Sequence, residues 1–253
     1  MDRGIWAIWY ELPDDRAARS EYFEWFHGVH IPEKLARPGY LWAAHYELGH
    51  GGPRFQKVVD GLVHARDAGI GRGRGFLALF GGLSAHTFLN PSPGQLKDKQ
   101  DALTRRMIAV RRESYSCIFA EETRVDGPEV AKRRPGITPG PFVQMGNFNA
   151  ASHALEDDIG AWYAQHRLPF MASMPGCIGA RKLLATAGWG KHSILYEYTS
   201  LEAREERFIP HEEQAHDEKS WTARILPQLV HAPCSPAVGN RIWPIEHGKR
   251  GPS

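Results

Sequence analysis

The spacing of apolar positions changes along the chain, and each change marks an element. "GIWAIWYEL", Gly4 to Leu12, is short, aromatic and β-branched and predicts a strand, with Trp6 and Tyr10 on one face and Trp9 on the other. A helical pattern runs from Ala17 to Val29. Strands follow over Tyr40 to Leu48 and Gly75 to Gly81, then a helix over Gln95 to Glu113 and a strand over Tyr115 to Arg124. The same order returns in the second half. There the strands are Phe142 to Asn149, Ile178 to Ala185, His192 to Thr199 and Ala237 to Pro244, and the helices are Leu155 to Gln165 and Glu212 to Leu229. Strand, helix, strand, strand, helix, strand is the split βαβ, ferredoxin-like arrangement.

A direct comparison of the halves supports a repeat. A shift of 137 residues lays Trp25 on Trp162, Phe26 on Tyr163, Pro32 on Pro169, Pro38 on Pro175 and Gly39 on Gly176. The expected fold class is α+β, two ferredoxin-like repeats packed sheet-on-sheet. The first repeat is residues 1–127 and the second 142–253. The proline- and glycine-rich "DGPEVAKRRPGITPGP" supplies the linker, 128–141. The first repeat also carries an insertion, 49–75. Val58, Leu62 and Ala65 fall at helical spacing within it, so it reads either as a lid over a pocket or as a surface elaboration on its own repeat. Its "GIGRGRG" resembles a phosphate loop but leads into a strand, so the helix N-terminus that would hold a phosphate is missing.

Composition narrows the partners. With 31 basic and 29 acidic side chains in 253 residues, the chain lacks the electrostatic footprint of a nucleic-acid or membrane-surface binder. No apolar run is long enough to span a bilayer. Cys117, Cys177 and Cys234 are few, odd in number and widely spaced, which disfavours a disulfide framework and fits a cytoplasmic protein. A small-molecule partner is expected, with a homodimer compatible.

Histidines and aromatics carry the candidate chemistry. In "EWFHGVHIPEKLARPGY", His27 and His30 share a helical face just before Pro32, which is expected to end the helix. Imidazole titrates near neutrality and suits His30 to acid–base work, whereas His27 is expected to be solvated. A metal pair completed by Glu33 is undercut by the proline, so no metal is assigned. Trp6, Trp9, Trp42 and Tyr46, with Asn147 or Gln144 as a polar anchor, suit a planar aromatic ligand, and Tyr10 is a candidate proton donor. No nucleophile elbow and no dinucleotide fingerprint is present, so no cofactor is assigned.

The helix with Trp-Phe or Trp-Tyr followed by "VHIPEKLARPGY" resembles the EthD-like members of the dimeric α+β barrel superfamily. That resemblance implies a barrel built within one chain. It also brings a choice among cofactor-free lyases, isomerases, polyketide cyclases and small monooxygenases, along with haem-binding members. It places an acid–base histidine at His30, opposite Arg167 in the second copy, and a second histidine at His211 or His216. Phe208 replaces a tyrosine used by some cyclase relatives. The leading expectation is a cofactor-independent lyase, isomerase or cyclase acting on a small aromatic or cyclic compound. The alternatives are a cofactor-free or haem-dependent monooxygenase and a non-catalytic ligand-binding module.

Overall fold

The computed structural model describes residues 2–49, 51–133, 139–213, 217 and 219–245. Ten strands are present among them: β1 (Gly4–Glu11), β2 (Tyr40–Gly49), β3 (Val63–His64), β4 (Phe76–Gly82), β5 (Arg112–Asp126), β6 (Phe142–Ala150), β7 (Cys177–Ala187), β8 (His192–Tyr198), β9 (Leu229–His231) and β10 (Ala237–Trp243). Eight of them close an antiparallel barrel in the order β10-β2-β4-β1-β5-β7-β8-β6, and β6 pairs back to β10. The chain is therefore α+β with a closed barrel. The runs β5-β1-β4-β2 and β10-β6-β8-β7 share one pattern of chain order, and they join edge to edge through β5–β7 and β10–β2. These hydrogen-bonded seams lie within one chain, so no second chain is needed to close the barrel.

Alternation along the strands divides the apolar residues into two environments. Ile5, Ala7, Trp9, Trp42, Tyr46, Leu79, Phe119 and Met145 fill the barrel, with Trp9 stacked on Tyr115 at 4.6 Å. Trp6, Ile8 and Tyr10 face outward beneath the helices of the first half, and Phe148, Ile194 and Tyr196 do so in the second. One end of the barrel holds buried charge. Arg181 contacts Asp2 at 2.7 Å and Glu197 at 3.2 Å, Trp42 Nε1 donates to Asp2 at 2.7 Å, and the Gly140 amide donates to Glu197 at 2.9 Å. Burial alone would raise the Asp2 carboxyl, but the Arg181 charge and these donors hold it at about 2.

Helix α1 (Arg16–Trp25) starts at Asp15, whose carboxylate accepts the Ala18 amide at 2.6 Å. The expected stop before Pro32 does not occur. The chain passes through a π-helical turn, Phe26–His30, directly into α2 (Ile31–Leu35), with the Ile31 amide reaching back to the Phe26 carbonyl. A π turn widens the helix where the proline ring would otherwise meet the preceding carbonyls, so Pro32 is accommodated at the start of α2.

The same device recurs twice. A π turn at Tyr163–Arg167 links α6 (Glu156–Trp162) to α7 (Leu168–Ser173) before Pro169. Another at Arg204–Phe208 links α8 (Leu201–Ala203) to α9 (Ile209–Glu213) before Pro210. The predicted helix over Gln95 to Glu113 is two helices, α4 (Pro93–Lys97) and α5 (Ala102–Ala109), because Asp101 caps a new start by accepting the Thr104 amide at 2.7 Å. The predicted helix at Glu212 begins earlier, at Leu201, where the Ser200 hydroxyl accepts the Ala203 amide. A separate α10 (Trp221–Ile225) follows.

Of the segment 49–75, expected to be either a lid or an elaboration on its own repeat, residues 52–64 cross to the other half of the molecule, and 71–75 return to β1 and β5. Its helix α3 (Gly52–Asp60) places Phe55 in the core of the second half, with the Arg204 guanidinium 4.1 Å above the ring. Strand β3 adds in parallel to β9, pairing Val63 with Val230 and His64 with His231. Its apolar positions find a partner there, between the second half's helices and sheet, that they lack on their own side.

Candidate functional site

Each half has a cleft between its helices and the outer face of its strands, and the two clefts differ in content. The first encloses about 950 Å³ between β1 and β5 on one side and α2, α4 and α5 on the other. Trp6, Ile8, Leu96 and Ile108 form apolar walls, and the buried His30 faces the half-buried Lys34 and Arg111 among the polar groups. The second cleft is reduced to about 40 Å³ because Phe55, Val58 and Leu62 of the crossing segment enter it.

The π turn aims His30 inward. As the last residue of the turn it is 4 % exposed, packed against Trp25 at 4.6 Å and Phe26 at 5.6 Å, and its Nδ1 has no hydrogen-bond partner. Burial, with the Arg111 and Lys34 charges adding to it, drives the imidazole down to about 2, so it is neutral at physiological pH. Lys34 lies one turn further along, and burial reinforced by Arg37 lowers its ammonium to about 8. The Arg111 guanidinium stands 4.7 Å from the Tyr10 ring and 5.2 Å from Phe26, and its Nε donates to the Tyr22 hydroxyl at 2.8 Å. The cavity thus sets one neutral base, its Nδ1 unpartnered, beside Lys34 and Arg111 on an apolar wall, with Lys97, Asp98 and Arg105 also lining it.

A second polar chain lies behind this wall. The Tyr10 hydroxyl bonds His45 Nε2 at 2.7 Å, and His45 Nδ1 bonds His27 Nε2 at 2.8 Å. His45 is fully buried and held neutral by burial and by His27. His27 is half-buried and stacked on Phe23 and Trp243, which replaces the solvated setting expected for it. Its Nε2 is engaged with His45. Burial raises the Tyr10 hydroxyl well above its ordinary value.

Of the residues expected at a site, the structure brings Trp6 and His30 together at the first cavity. Tyr10 faces the same helical layer but is engaged with His45 and does not line the cavity. Trp9, Trp42 and Tyr46 are barrel-filling side chains, with the Tyr46 hydroxyl donating to the Gly140 carbonyl at 2.8 Å. Strand alternation turns them into the barrel, away from the first cavity, where Trp6 is. Asn147 also points inward, donating to the Trp189 carbonyl at 2.9 Å. On the strands the correspondence of the halves is one residue longer than on the helices. Gly4 opposes Gly82 while Phe142 opposes Tyr198, so Gln144 matches Trp6 and Asn147 matches Trp9.

Arg167 lines the filled cleft, and His211 does not. Arg167 is 1 % exposed, ion-paired with Glu212 and stacked over Trp162 at 4.6 Å. Burial opposes its charge, yet Glu212 holds it protonated. His211 lies on the Phe170 ring, and burial with the Arg167 charge lowers it to about 3. His216 lies outside the described residues. Sequence reading missed Lys34 and Arg111. Lys34 carried a signal, the four-residue spacing from His30 that puts both on one face. Arg111, at the junction of α5 and β5, carried none.

No family model matches the sequence, and no curated protein matches it. Similarity appears at the level of structure. The chain is similar to an anthrone oxidase-like protein, with a TM-score of 0.57 at 11 % identity, covering 95 % of this chain and 92 % of the other. A candidate monooxygenase from Lactobacillus acidophilus gives 0.54 at 12 %, covering 95 % and 94 %. A mutant chlorite dismutase from Candidatus Nitrospira defluvii gives 0.53 at 9 %, covering 95 % and 91 %. The likeness is one of fold, the dimeric α+β barrel. Among the described residues no helix is long and apolar enough to cross a membrane.

Proposed function

We propose that the first cavity binds a planar aromatic compound carrying an acidic hydroxyl or methylene, takes a proton from it, and presents the resulting anion to molecular oxygen as a cofactor-free monooxygenase or oxidase. The observation that carries this reading is the neutral, unpartnered His30 beside Lys34 and Arg111 on an apolar wall. In the empty cavity the two cations disfavour imidazolium. Proton transfer from a substrate creates an anion between them, which offsets their charge and strengthens His30 as a base at the moment it acts. For a diaryl methylene the overall change is CH2 plus O2 giving C=O plus water, with the carbanion supplying the electrons and oxygen accepting them.

Fold likeness to an anthrone oxidase-like protein and a candidate monooxygenase supports this reading over an oxygen-independent lyase, isomerase or cyclase, which would share the first proton transfer. The common strand order of the two halves supports reading the chain as a tandem, EthD-like unit. Oxygen uptake with anthrone, measured for the wild type and His30→Gln, tests the proposal. Uptake that falls by about 10²-fold or more in the variant supports it. Product formed equally well under nitrogen refutes the oxygen step, and uptake unchanged in the variant refutes the role of His30.

A second reading rests on the same histidine. Among the described residues His30 is the one histidine lining the cavity, and Lys34, Lys97, Arg105 and Arg111 also line it, so these residues fit a haem, with His30 toward the iron and the cations toward its carboxylates. Bound haem would supply one-electron and oxygen chemistry there. A Soret shift on adding hemin to the wild type and not to His30→Ala favours this reading, and its absence removes it.

A further inference from the structure

We propose that a second cavity, separate from the first, is a binding site for an amphipathic organic anion, a carboxylate or phosphate ester with an apolar body. It encloses about 760 Å³ between α3, the strap 71–75 and the loop before β10, and it shares no lining residue with the first cavity. Leu48, Phe55 and Val59 form its apolar side, and Arg66, Arg72 and Arg74 its charged side.

The "GRGRG" strap explains how the charge gets there. A Cβ on Gly73 would fall 2.4 Å from Tyr10 Cα, and one on Gly71 would fall 2.5 Å from the Glu113 carbonyl oxygen, so the strap lies flush on the backbones of β1 and β5. Extended backbone alternates, and glycines on the barrel side send Arg72 and Arg74 to the other side, into the cavity. The strap's amides are already engaged: Arg72 N with Glu113, Gly73 N with the Glu113 carbonyl and Arg74 N with Glu11. Any anion is therefore left to the guanidinium groups.

Those groups are available. Among the described residues none of Arg66, Arg72 and Arg74 forms an ion pair, and Arg74 is engaged with the Pro233 carbonyl at 3.3 Å and with Cys234. Two carboxylates also line the cavity, Glu11 accepting from the Arg74 amide and Asp60 from Gln56 at 2.7 Å, so the three arginines outnumber them and leave the wall net positive. Unpaired arginines on one wall facing apolar side chains on the other, in a space of small-molecule size, are the features of a pocket that fixes an anionic head and covers an apolar body. Phe55 lines this cavity and fills the second cleft, so a ligand here packs on the helix that closes that cleft.

Isothermal titration with 2-naphthoate, 1-naphthyl phosphate and neutral 2-naphthol at low and high salt tests the site. At least one anion is expected to bind with sub-millimolar affinity, weakening in salt, and 2-naphthol at least about tenfold more weakly. The R72A/R74A double variant is expected to lose about tenfold or more in affinity with Tm unchanged, since both side chains are exposed. K97A/R105A, on the first cavity, should leave binding intact. Three results would overturn the proposal: no heat with either anion up to about 5 mM, equal affinity for 2-naphthol, or loss of binding in K97A/R105A with R72A/R74A unaffected.

Discussion

Replacing Arg167 by methionine removes a charge from a position where solvent cannot take its place. Arg167 is 1 % exposed, and its partner carboxylate on Glu212 is nearly as buried. Breaking such a pair from one side strands the other charge and costs about 3–5 kcal/mol. The guanidinium also stacks over Trp162 at 4.6 Å and Phe208 at 5.3 Å, worth up to ~2 kcal/mol when desolvated. Methionine keeps the apolar stem and recovers part of this.

The net expectation for Arg167→Met is a loss of about 4 kcal/mol, or roughly 10 °C in Tm for a chain of this length. Urea denaturation at pH 7 measures it, and the double variant Arg167→Met/Glu212→Leu should recover most of the deficit. A deficit below about 1 kcal/mol, or a double variant no better than the single, would refute the assignment of Arg167 as a structural charge closing the second cleft. So would a turnover defect in Arg167→Met larger than its stability loss explains.

His30→Gln should lower turnover by roughly 10² to 10⁴ while Tm moves by no more than about 2 °C, and urea titration alongside kinetics separates the two. If the anion is held by Lys34, whose ammonium is lowered to about 8, activity should fall as pH rises through 8 and the inflection should move up in Lys34→Arg; an unchanged profile sinks that role. His30, near 2, His231, near 4, and His45, well below 6.5, are buried neutral, so the unfolded chain binds more protons below about 6.5. Stability is therefore full above that pH and drops by ~1.4 kcal/mol per pH unit per histidine as pH falls further, and a fold intact by circular dichroism at pH 4 contradicts this. His45→Leu should cost about 2–4 kcal/mol by orphaning the Tyr10 hydroxyl and His27, and Tyr10→Phe added to it should restore part; additive losses count against the chain of bonds.

The sequence alone determined the eight barrel strands, the α+β class and the face each residue of β1 presents, because strand alternation is a property of the backbone and needs no partner. It also singled out His30 as a candidate, through Pro32 two residues on; the same apolar-proline pair stands at Pro169 and Pro210. The consequence of that pair was decided by the helix as a whole. A π turn absorbs each proline without ending the helix, a choice set by the packing of Phe26, Tyr163 and Phe208 into their cores. The segment 49–75 could be read as amphipathic but not as belonging to the opposite half, since a hydrophobic face names no partner. Once it crosses, Phe55 fills one cleft and the other is left open, so the asymmetry between two similarly built halves comes from a contact between residues far apart in the chain. Arg111 joins His30 and Lys34 for the same reason. The barrel brings the start of β5 beside α2, and no local pattern records that neighbour.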